Sequence, residues 1–299
     1  MTAAPADRAL ITGAGGQVGL ALQAAKPDGW SIVPCGVAEL DVTDAERVRA
    51  VLERERPTVV IHAAAFTAVD AAETAVDRAE RVNVNGSANV ALAARAVGAR
   101  LLYLSTDFVF DGRSGHPYAP DDTPNPLGVY GRTKLAGERE VEQILGDAAL
   151  VIRTAWVYSA HRRNFVQTML RLMRDAPEVT VVADQVGTPT WARSLALALW
   201  SACAKPQLGG VLHWTDAGVA SWYDFAVAIQ EEALAVGLLD RAVPVRPLRS
   251  DQYPSRAHRP AYSVLDKTAS WRLLDAPIWH WRSALRAMLQ DAARHVGHA

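Results

Sequence analysis

The stretch LITGAGGQVG, residues 10–19, ends an apolar run and opens a helical pattern, with glycines at Gly13, Gly16 and Gly19. Glycines at this spacing allow a tight turn after a strand, a close approach of the backbone to a pyrophosphate and close helix–strand packing. The helix that follows would offer unpaired N–H groups to the phosphates. The rival phosphate loop, G-x-x-x-x-G-K-[ST], is absent from the sequence. The stretch therefore predicts the first turn of a dinucleotide-binding fold.

Short apolar runs alternate with helical patterns on both sides of this loop. The runs RALITG, WSIVP, TVVIHAAA, RLLYLST and ALVIRTAW are typical of strands buried on both faces. Residues 43–55 give the clearest helix, with a capping box predicted between Thr43 and Glu46. Strands buried on both faces and joined by helices predict an α/β fold, a doubly wound parallel sheet of the Rossmann type.

The alternation of apolar runs and helical patterns becomes less regular after about Trp156. Helices are predicted over 164–174, 191–203, 222–235 and from 279 onward, with a short strand, VLHWT, between the second and third. We therefore predict a dinucleotide-binding domain at 1–155, to which a later strand near 179–183 returns. Residues 156–299 are predicted to form mainly a smaller, substrate-binding domain.

Composition restricts the class of protein. Half of the 299 residues are hydrophobic and the formal net charge is −1, which gives no electrostatic reason to expect nucleic acid or an anionic membrane as a partner. The N-terminus lacks the pattern of a signal peptide, and no apolar run approaches the ~20 residues of a membrane span. The two cysteines, Cys35 and Cys203, are far apart and are expected to be reduced thiols. We expect a soluble cytoplasmic protein.

Two further segments carry polar groups suited to chemistry. LSTDFVFDG places Ser105 and Thr106 at the carboxyl end of the fourth strand, where doubly wound folds bind their ligands. VYGRTKLAGERE places Tyr130 and Lys134 four residues apart, on one face of a helix. A nearby ammonium would lower the phenol pKa from its usual ~10 and help it to act as an acid. Such a pair alone is most often a solvated helix surface, but its order after the glycine loop and the strand-end hydroxyl favours a hydride-transferring enzyme.

At this point the chain resembles the extended short-chain dehydrogenase/reductases, and within them the dTDP-4-dehydrorhamnose reductase family. The motifs that carry the resemblance span nearly the whole chain: GQVGLALQ, HAAAFTAVDAAE, LSTDFVFDG, NPLGVYGRTKLAGE, RTAWVYS, NFVQTMLRL, DQVGTPTWA and RPAYSVLD. The resemblance implies reduction of the C4 ketone of dTDP-4-dehydro-6-deoxy-L-mannose to dTDP-L-rhamnose, the last step of a supply route to cell-surface polysaccharide. NADPH or NADH would be the coenzyme.

The resemblance also implies roles for individual residues. The catalytic residues would be Tyr130, Lys134 and Thr106. The coenzyme would be bound by Gly13, Gly16, Gln17, Val18, Asp41, Val42, Ala63, Ala64, Ala65, Phe66, Thr67, Leu104, Tyr130 and Lys134. The sugar nucleotide would be bound by Thr106, Asp107, Trp156, Asn164 and Arg256, with Arg162, Arg163 and Arg259 as further candidates for its diphosphate.

The sequence departs from the family pattern at a few places. His62 stands where asparagine is usual, and Leu20–Ala21 and Arg193 stand where the metal-bridged dimer of the family uses glutamates. We therefore predict no metal and favour a monomer, with a dimer as the alternative. The end of the second strand, at Cys35 and Gly36, holds neither carboxylate nor arginine, so the sequence does not choose between NADH and NADPH.

Two other functions remain open. One is another nucleotide-sugar reductase or epimerase on the same scaffold, although a single acidic residue after Thr106 favours simple reduction over dehydration. The other is a non-catalytic subunit that resembles the regulatory subunit of methionine adenosyltransferase and acts by binding a protein partner. The presence of Tyr130, Lys134 and Thr106 favours catalysis.

Overall fold

The computed structural model describes residues 7–296. The strands are β1 (Arg8–Thr12), β2 (Ser31–Cys35), β3 (Val59–His62), β4 (Arg100–Thr106), β5 (Ala149–Thr154), β6 (Val157–Tyr158), β7 (Val179–Val182), β8 (Val186–Gly187), β9 (Thr190–Trp191), β10 (Gly210–His213), β11 (Ala220–Ser221) and β12 (Val245–Leu248). The α-helices are α1 (Gln17–Ala24), α2 (Ala45–Glu55), α3 (Val69–Ala72), α4 (Val76–Glu80), α5 (Gly86–Val97), α6 (Val129–Leu145), α7 (Phe165–Asp175), α8 (Ala192–Cys203), α9 (Trp222–Ala235), α10 (Thr268–Leu273) and α11 (Trp281–Val296). A π-helical turn (Arg81–Asn85) joins α4 to α5, and short 3₁₀ turns lie at Asp107–Val109, Gly146–Ala148 and Ser250–Gln252.

Six parallel strands form the central sheet, in the order β10-β5-β4-β3-β1-β2. The chain runs from β1 to β2 on one side and then to β3 on the other, so the strand order reverses between β1 and β3. In open α/β sheets this reversal leaves a crevice at the carboxyl ends of the two strands, where ligands bind. The predicted doubly wound parallel sheet is confirmed.

Both faces of the sheet are covered by helices. Ile11, Ile61 and Leu102 belong to a core shared with α1 and α8, whereas the alternate residues Leu10 and Val60 pack against α2 and α5. Each of these side chains is fully buried, which is worth roughly 1.5–3 kcal/mol of hydrophobic free energy per side chain. This burial fixes the strand ends, and the loops that follow them, at one edge of the sheet.

A second core lies in the C-terminal half of the chain. It joins α7, α9 and α11 through Leu170, Phe225, Ile229 and Leu285, and three two-stranded ladders surround it: β7 with β12, β8 with β11, and β6 with β9. The division of the chain at residue 155 stays a prediction, and the outer ends of the two predicted domains, 1–6 and 297–299, lie outside the described residues.

The prediction that a strand near 179–183 returns to the sheet is wrong. β7 pairs with β12, and β10 takes the position beside β5 instead. The preceding helices explain the difference. α7 buries Met169 and Leu170 in the C-terminal core, so β7 follows it there, whereas α8 buries Leu195 and Leu199 against the sheet and α1, so β10 joins the sheet.

The predicted capping box at the start of α2 is also wrong. The N-cap residue is Asp44, whose carboxylate accepts a hydrogen bond of 3.0 Å from the N–H of Arg47. Thr43 instead donates its hydroxyl and its N–H to Asp41, at 2.8 and 2.9 Å. Asp and Thr are both good caps, and here the aspartate lies one residue closer to the helix.

Candidate active site

The glycine loop lies in the crevice between β1 and β3. Gly13 has φ of +66°, and a Cβ there would lie 2.7 Å from the amide nitrogen of Ala64. A Cβ at Gly19 would lie 2.5 Å from the carbonyl oxygen of Gly13. Neither position has space for a side chain, so glycine is required both for the left-handed turn and for packing of α1 against the loop.

The surface of this loop fits a dinucleotide pyrophosphate. Gly15 and Gly16 are exposed, and Gly16 is the N-cap of α1 with no side chain capping the helix. The first N–H groups of a helix have no partner within it and carry partial positive charge, so they attract phosphate. Val18 is buried beneath them, while the side chain of Gln17 turns away and donates to the carbonyl oxygen of Val157 at 3.4 Å.

The segment after β3 forms the next part of the crevice. Ala63–Phe66 are half-buried and Thr67 is exposed. The side chain of Asn83 holds the turn, because it accepts from the N–H of Phe66 at 2.8 Å and donates to the carbonyl of Phe66 at 3.2 Å. The same amide donates to the hydroxyl of Thr133 on α6 at 3.0 Å. Asn83 was not among the predicted site residues. In the sequence it is marked only by being a polar residue within a helical pattern that is otherwise rich in apolar residues.

His62 supports the same segment from below. Its Nδ1 lies 2.7 Å from the hydroxyl of Thr12, and its Nε2 lies 3.2 Å from the hydroxyl of Ser87. Ser87 donates to the carbonyl of Asn83, and Thr12 accepts from the N–H of Ala64, so the network is satisfied by a neutral ring protonated at Nε2. Burial lowers the pKa of His62 to about 3, which keeps the ring neutral. Histidine therefore fills the usual asparagine position as a neutral bridge.

Helix α6, which carries Tyr130 and Lys134, lies very close to the turn that follows β4. A Cβ at Gly131 would lie 2.1 Å from the carbonyl oxygen of Phe108, so only glycine allows this contact. The neighbouring Tyr130 thereby lies close enough to Thr106 for the threonine side chain to affect its pKa, and its ring lies edge-on to Phe108 at 5.6 Å between centroids. The structure thus joins two residues that sequence analysis had placed in one site from separate motifs.

We expect Gly131→Ala to disrupt this contact. The added methyl group would push α6 away from the turn after β4 and move Tyr130 away from Thr106. Overpacking of this kind costs about 1–3 kcal/mol of unfolding free energy, measurable by urea denaturation. Gly98→Ala is a weaker control, because nothing lies within 4 Å of a Cβ there, although its φ of +71° adds backbone strain. Equal losses of unfolding free energy in Gly131→Ala and Gly98→Ala would contradict the packing argument.

Glu73 caps the helix that carries Tyr130 and Lys134. Its carboxylate accepts a hydrogen bond of 2.8 Å from the N–H of Val129, the first residue of α6. A negative group at a helix N-terminus satisfies a free N–H and interacts favourably with the helix dipole. Sequence analysis did not find this contact, because Glu73 lies 56 residues before its partner.

Lys134 lies beneath the site on the same face of α6 as Tyr130. Its Nζ donates to the carbonyl oxygen of Leu104 at 2.8 Å and lies 4.1 Å from the centre of the Tyr103 ring. One turn further along α6, Glu138 forms a buried ion pair of 2.7 Å with Arg153 on β5. Glu138 raises the pKa of Lys134, but burial dominates and lowers it to about 7.

The expected lowering of the Tyr130 pKa is not found in this structure. Burial is the largest effect and raises the pKa of Tyr130 to about 12, although the hydrogen bond to Thr106 opposes it. The phenol is therefore fully protonated at neutral pH. This protonation state suits a group that donates a proton, and the nearby lysine would act after donation by stabilising the phenolate.

Asp107 lies beside the Thr106 hydroxyl, which donates to its Oδ1 at 3.1 Å. Oδ2 is buried and has no hydrogen-bond partner within the described part of the chain. Burial is the largest effect on Asp107 and raises its pKa to about 6. An unpartnered buried oxygen next to Tyr130 is free to accept a hydrogen bond from a ligand hydroxyl.

Trp156 is also at this edge but is already covered on one side. Its φ is +47°, and its indole stacks on Trp222 with ring centroids 3.5 Å apart and planes 5° apart. Gly187 lies close as well, since a Cβ there would be 2.6 Å from Cε2 of the indole. The predicted contact of Trp156 with a sugar stays a prediction and would use the part of the ring that these two residues leave accessible.

Two of the arginines predicted for the sugar-nucleotide diphosphate, Arg256 and Arg259, lie beside Asp70. Arg259 forms an ion pair of 2.6 Å with Asp70, which lowers the pKa of that carboxyl to about 2. Arg256 has an exposed side chain, and only its backbone N–H contacts Asp70. Asn164 instead caps α7 and donates to the Gln17 side chain at 2.9 Å, beside the glycine loop.

A carboxylate does reach the end of β2, although the sequence showed none at Cys35 and Gly36. Glu39, three residues later, turns back so that its Oε2 accepts from the N–H of Gly36 at 2.9 Å. Nearby, Asp41 is exposed while Val42 is buried against Gly86. A carboxylate at this strand end is the group that binds the adenosine ribose hydroxyls in dinucleotide folds.

Within residues 7–296 there is neither a metal-binding cluster nor a membrane-spanning helix. No group of three or more histidine, cysteine, aspartate or glutamate residues within 7–296 is arranged to hold a metal ion. Arg193, where a glutamate was expected, pairs with Asp291 at 3.7 Å. None of the helices in the same range combines the length and apolar character that a membrane span requires.

This chain is similar to known proteins over nearly its whole length. A family model described as the RmlD substrate binding domain matches residues 7–294. A dTDP-4-dehydrorhamnose reductase of Streptomyces griseus is 42% identical over 291 residues, 95% of this chain and 94% of that protein. A dTDP-4-keto-6-deoxy-D-glucose reductase of Streptomyces niveus is 41% identical over 283 residues, 93% of this chain and 95% of that protein. The crystal structure of dTDP-4-dehydrorhamnose reductase from Bacillus anthracis str. Ames in complex with NADP has a TM-score of 0.90 and 35% identity, covering 95% of this chain and 99% of that one. The chain therefore belongs to the dTDP-4-dehydrorhamnose reductase (RmlD) family.

Proposed function

We propose that this protein reduces the C4 ketone of dTDP-4-dehydro-6-deoxy-L-mannose to dTDP-L-rhamnose, the last step of dTDP-rhamnose synthesis. The observation that carries the proposal is the close approach of α6 to the turn after β4, which brings Tyr130 and Lys134 to the end of the strand that carries Thr106. Family membership supports the substrate class, because relatives that match nearly the whole chain are named for this reaction.

The residues at this edge have different roles in the reduction. Tyr130, protonated at neutral pH, donates its proton to the ketone oxygen, which becomes the C4 hydroxyl. Thr106 hydrogen-bonds the phenol and stabilises the phenolate that donation leaves. Lys134, in its ammonium form, stabilises the same phenolate, and the unpartnered Oδ2 of Asp107 accepts a hydrogen bond from a sugar hydroxyl.

The coenzyme would lie across the crevice between β1 and β3. Its pyrophosphate would be held by the N–H groups at the start of α1, over Gly15 and Gly16, and its nicotinamide half would lie by Ala63–Phe66 and Leu104. When bound, it supplies the hydride that reduces C4 of the sugar. Lys134 would bind the nicotinamide ribose with the ammonium that now reaches the Leu104 carbonyl.

The test is the loss of reduced-nicotinamide absorbance when the freshly generated 4-keto sugar nucleotide is added, with NADPH and NADH in parallel. We expect oxidation that depends on the sugar nucleotide, and dTDP-L-rhamnose as the product. The absence of oxidation with both coenzymes, in folded protein that still binds them, would overturn the assignment.

A second candidate is reduction of the epimeric ketone, dTDP-4-keto-6-deoxy-D-glucose, because the Streptomyces niveus relative is named for that activity at nearly the same identity. The proposed proton donor serves both substrates equally. Running the assay with each sugar nucleotide separately, at equal concentration, decides between them through the ratio of kcat/KM.

The position of Glu39 leads to a prediction on coenzyme choice. A carboxylate at the end of β2 would bind the free ribose hydroxyl of NADH and repel the 2′-phosphate of NADPH. We expect Glu39→Gln, which keeps an acceptor for the N–H of Gly36, to weaken NADH binding by about tenfold and leave NADPH binding equal or tighter. Fluorescence titration of both coenzymes measures this, with the exposed Glu46→Gln as control. An equal loss for both coenzymes would contradict the prediction.

A further inference from the structure

We propose that Arg162 is the cation that binds the pyrophosphate of the coenzyme, and not the diphosphate of the sugar nucleotide. The proposal rests on the proposed function, since it assigns one more residue to the same coenzyme site. It also changes the role that family resemblance suggested for this arginine.

The guanidinium of Arg162 lies over the glycine loop. Its Nη2 is 3.6 Å from the point where a Cβ on Gly15 would stand, closer than any other described atom apart from those of residues 14–16. Gly15 and Gly16 are the exposed residues that lead into the first turn of α1. A phosphate on those N–H groups would therefore meet the arginine from the opposite side, so that an anion is enclosed between the helix N-terminus and a guanidinium.

The loop that carries Arg162 is tied to the same helix start. The side-chain oxygen of Gln17 accepts hydrogen bonds from the Ser159 hydroxyl at 3.0 Å and from the Asn164 amide at 2.9 Å. The Asn164 amide also donates to the carbonyl of Arg162 at 3.2 Å. Residues 159–164 are thereby fixed relative to α1, and the backbone of Arg162 is held within reach of the loop.

Backbone conformation and charge agree with a binding role. Arg162 has φ of +65°, a region that arginine adopts at an energetic cost. No carboxylate within residues 7–296 forms an ion pair with its exposed guanidinium. By contrast, Arg259, another candidate for phosphate, is neutralised by Asp70. Arg162 therefore combines a position at the glycine loop with a positive charge that no described carboxylate balances, and it can bind an anion there.

The experiment compares Arg162→Gln with Arg171→Gln, an exposed arginine on α7 that lies outside the site and gives the same change in net charge. Isothermal titration measures Kd for NADPH, NADH, ADP-ribose and dTDP, in the full-length protein. We expect Arg162→Gln to weaken the first three by a similar factor of about ten to a hundred, the range for a charged hydrogen bond. Binding of dTDP should not change, and Arg171→Gln should resemble the wild type throughout.

Three results would overturn the inference. Weaker dTDP binding with unchanged coenzyme binding would place Arg162 at the sugar nucleotide instead. Unchanged binding of every ligand would remove it from both sites while leaving the proposed function intact. A wild type that binds neither coenzyme would overturn the proposed function and this inference together. Arg162→Lys is a second variant. Its affinity for the coenzymes should fall between those of the wild type and Arg162→Gln, because lysine keeps the charge but loses the bidentate geometry.

Discussion

In the Tyr130→Phe variant we expect kcat for reduction of the 4-keto sugar to fall by about a hundredfold to ten-thousandfold, the range that a positioned general acid contributes. Burial raises the pKa of this phenol to about 12, so it is protonated at neutral pH. Phenylalanine keeps the ring that packs edge-on against Phe108, so the local fold should persist.

The coenzyme must still bind for this result to be informative. We therefore expect Kd for NADPH and NADH, measured by fluorescence titration, to change by less than about threefold, since a single neutral hydrogen bond contributes little. Tyr223→Phe, which removes a hydroxyl on α9, is the control and should retain full activity. A Tyr130→Phe variant as active as the wild type would exclude this tyrosine as the acid. Coenzyme binding without turnover, even in the wild type, would favour the regulatory-subunit alternative.

The second prediction with a large effect concerns the buried ion pair that joins α6 to β5. Arg153→Met would leave the carboxylate of Glu138 buried without its partner, since the two side chains are 4% and 2% exposed and lie 2.7 Å apart. Breaking a buried ion pair by removing one member costs about 3–5 kcal/mol of unfolding free energy. Urea denaturation near neutral pH should show this loss.

Two control variants make the result specific. The exposed pair of Arg246 and Glu178 has the same 2.7 Å separation, but Arg246→Met should cost no more than about 1 kcal/mol because solvent screens the charges. The double variant Arg153→Met/Glu138→Leu should recover much of the loss, since no buried charge remains. A double variant as unstable as Arg153→Met alone would contradict the electrostatic explanation.

Local patterns in the sequence were sufficient for most elements of the fold. The glycine loop, the apolar strands and the Y-x-x-x-K spacing each depend on residues close together in the chain, so Tyr130 and Lys134 could be placed on one helical face. The glycine between them, Gly131, is the signal that α6 must approach another segment, but the sequence does not say which. Only the structure identifies the carbonyl of Phe108 as the neighbour.

Contacts between distant residues could not be predicted in the same way. Asp70 binds Arg259 across 189 positions, and Glu73 caps a helix that begins 56 positions later. Such pairs leave no periodic signal, because each member is an ordinary charged residue in its own segment. The same limit explains the misplaced strand: the apolar run at 179–183 and the run at 210–213 are both plausible strands, and only the packing of the helices before them decides which one extends the sheet.

The sixth strand of the sheet has a consequence for how the protein is made. β10 and the helix before it, α8, come from residues 192–213, yet they complete the edge and one face of the nucleotide-binding sheet. A nascent chain that has emerged from the ribosome only to residue 155 would expose the β5 edge and the apolar face that Leu199 and Trp200 later cover. Unpaired edges of this kind attract other chains. We expect truncation at residue 155 to yield an aggregating fragment, and the coenzyme crevice to form only after the C-terminal half has been synthesised.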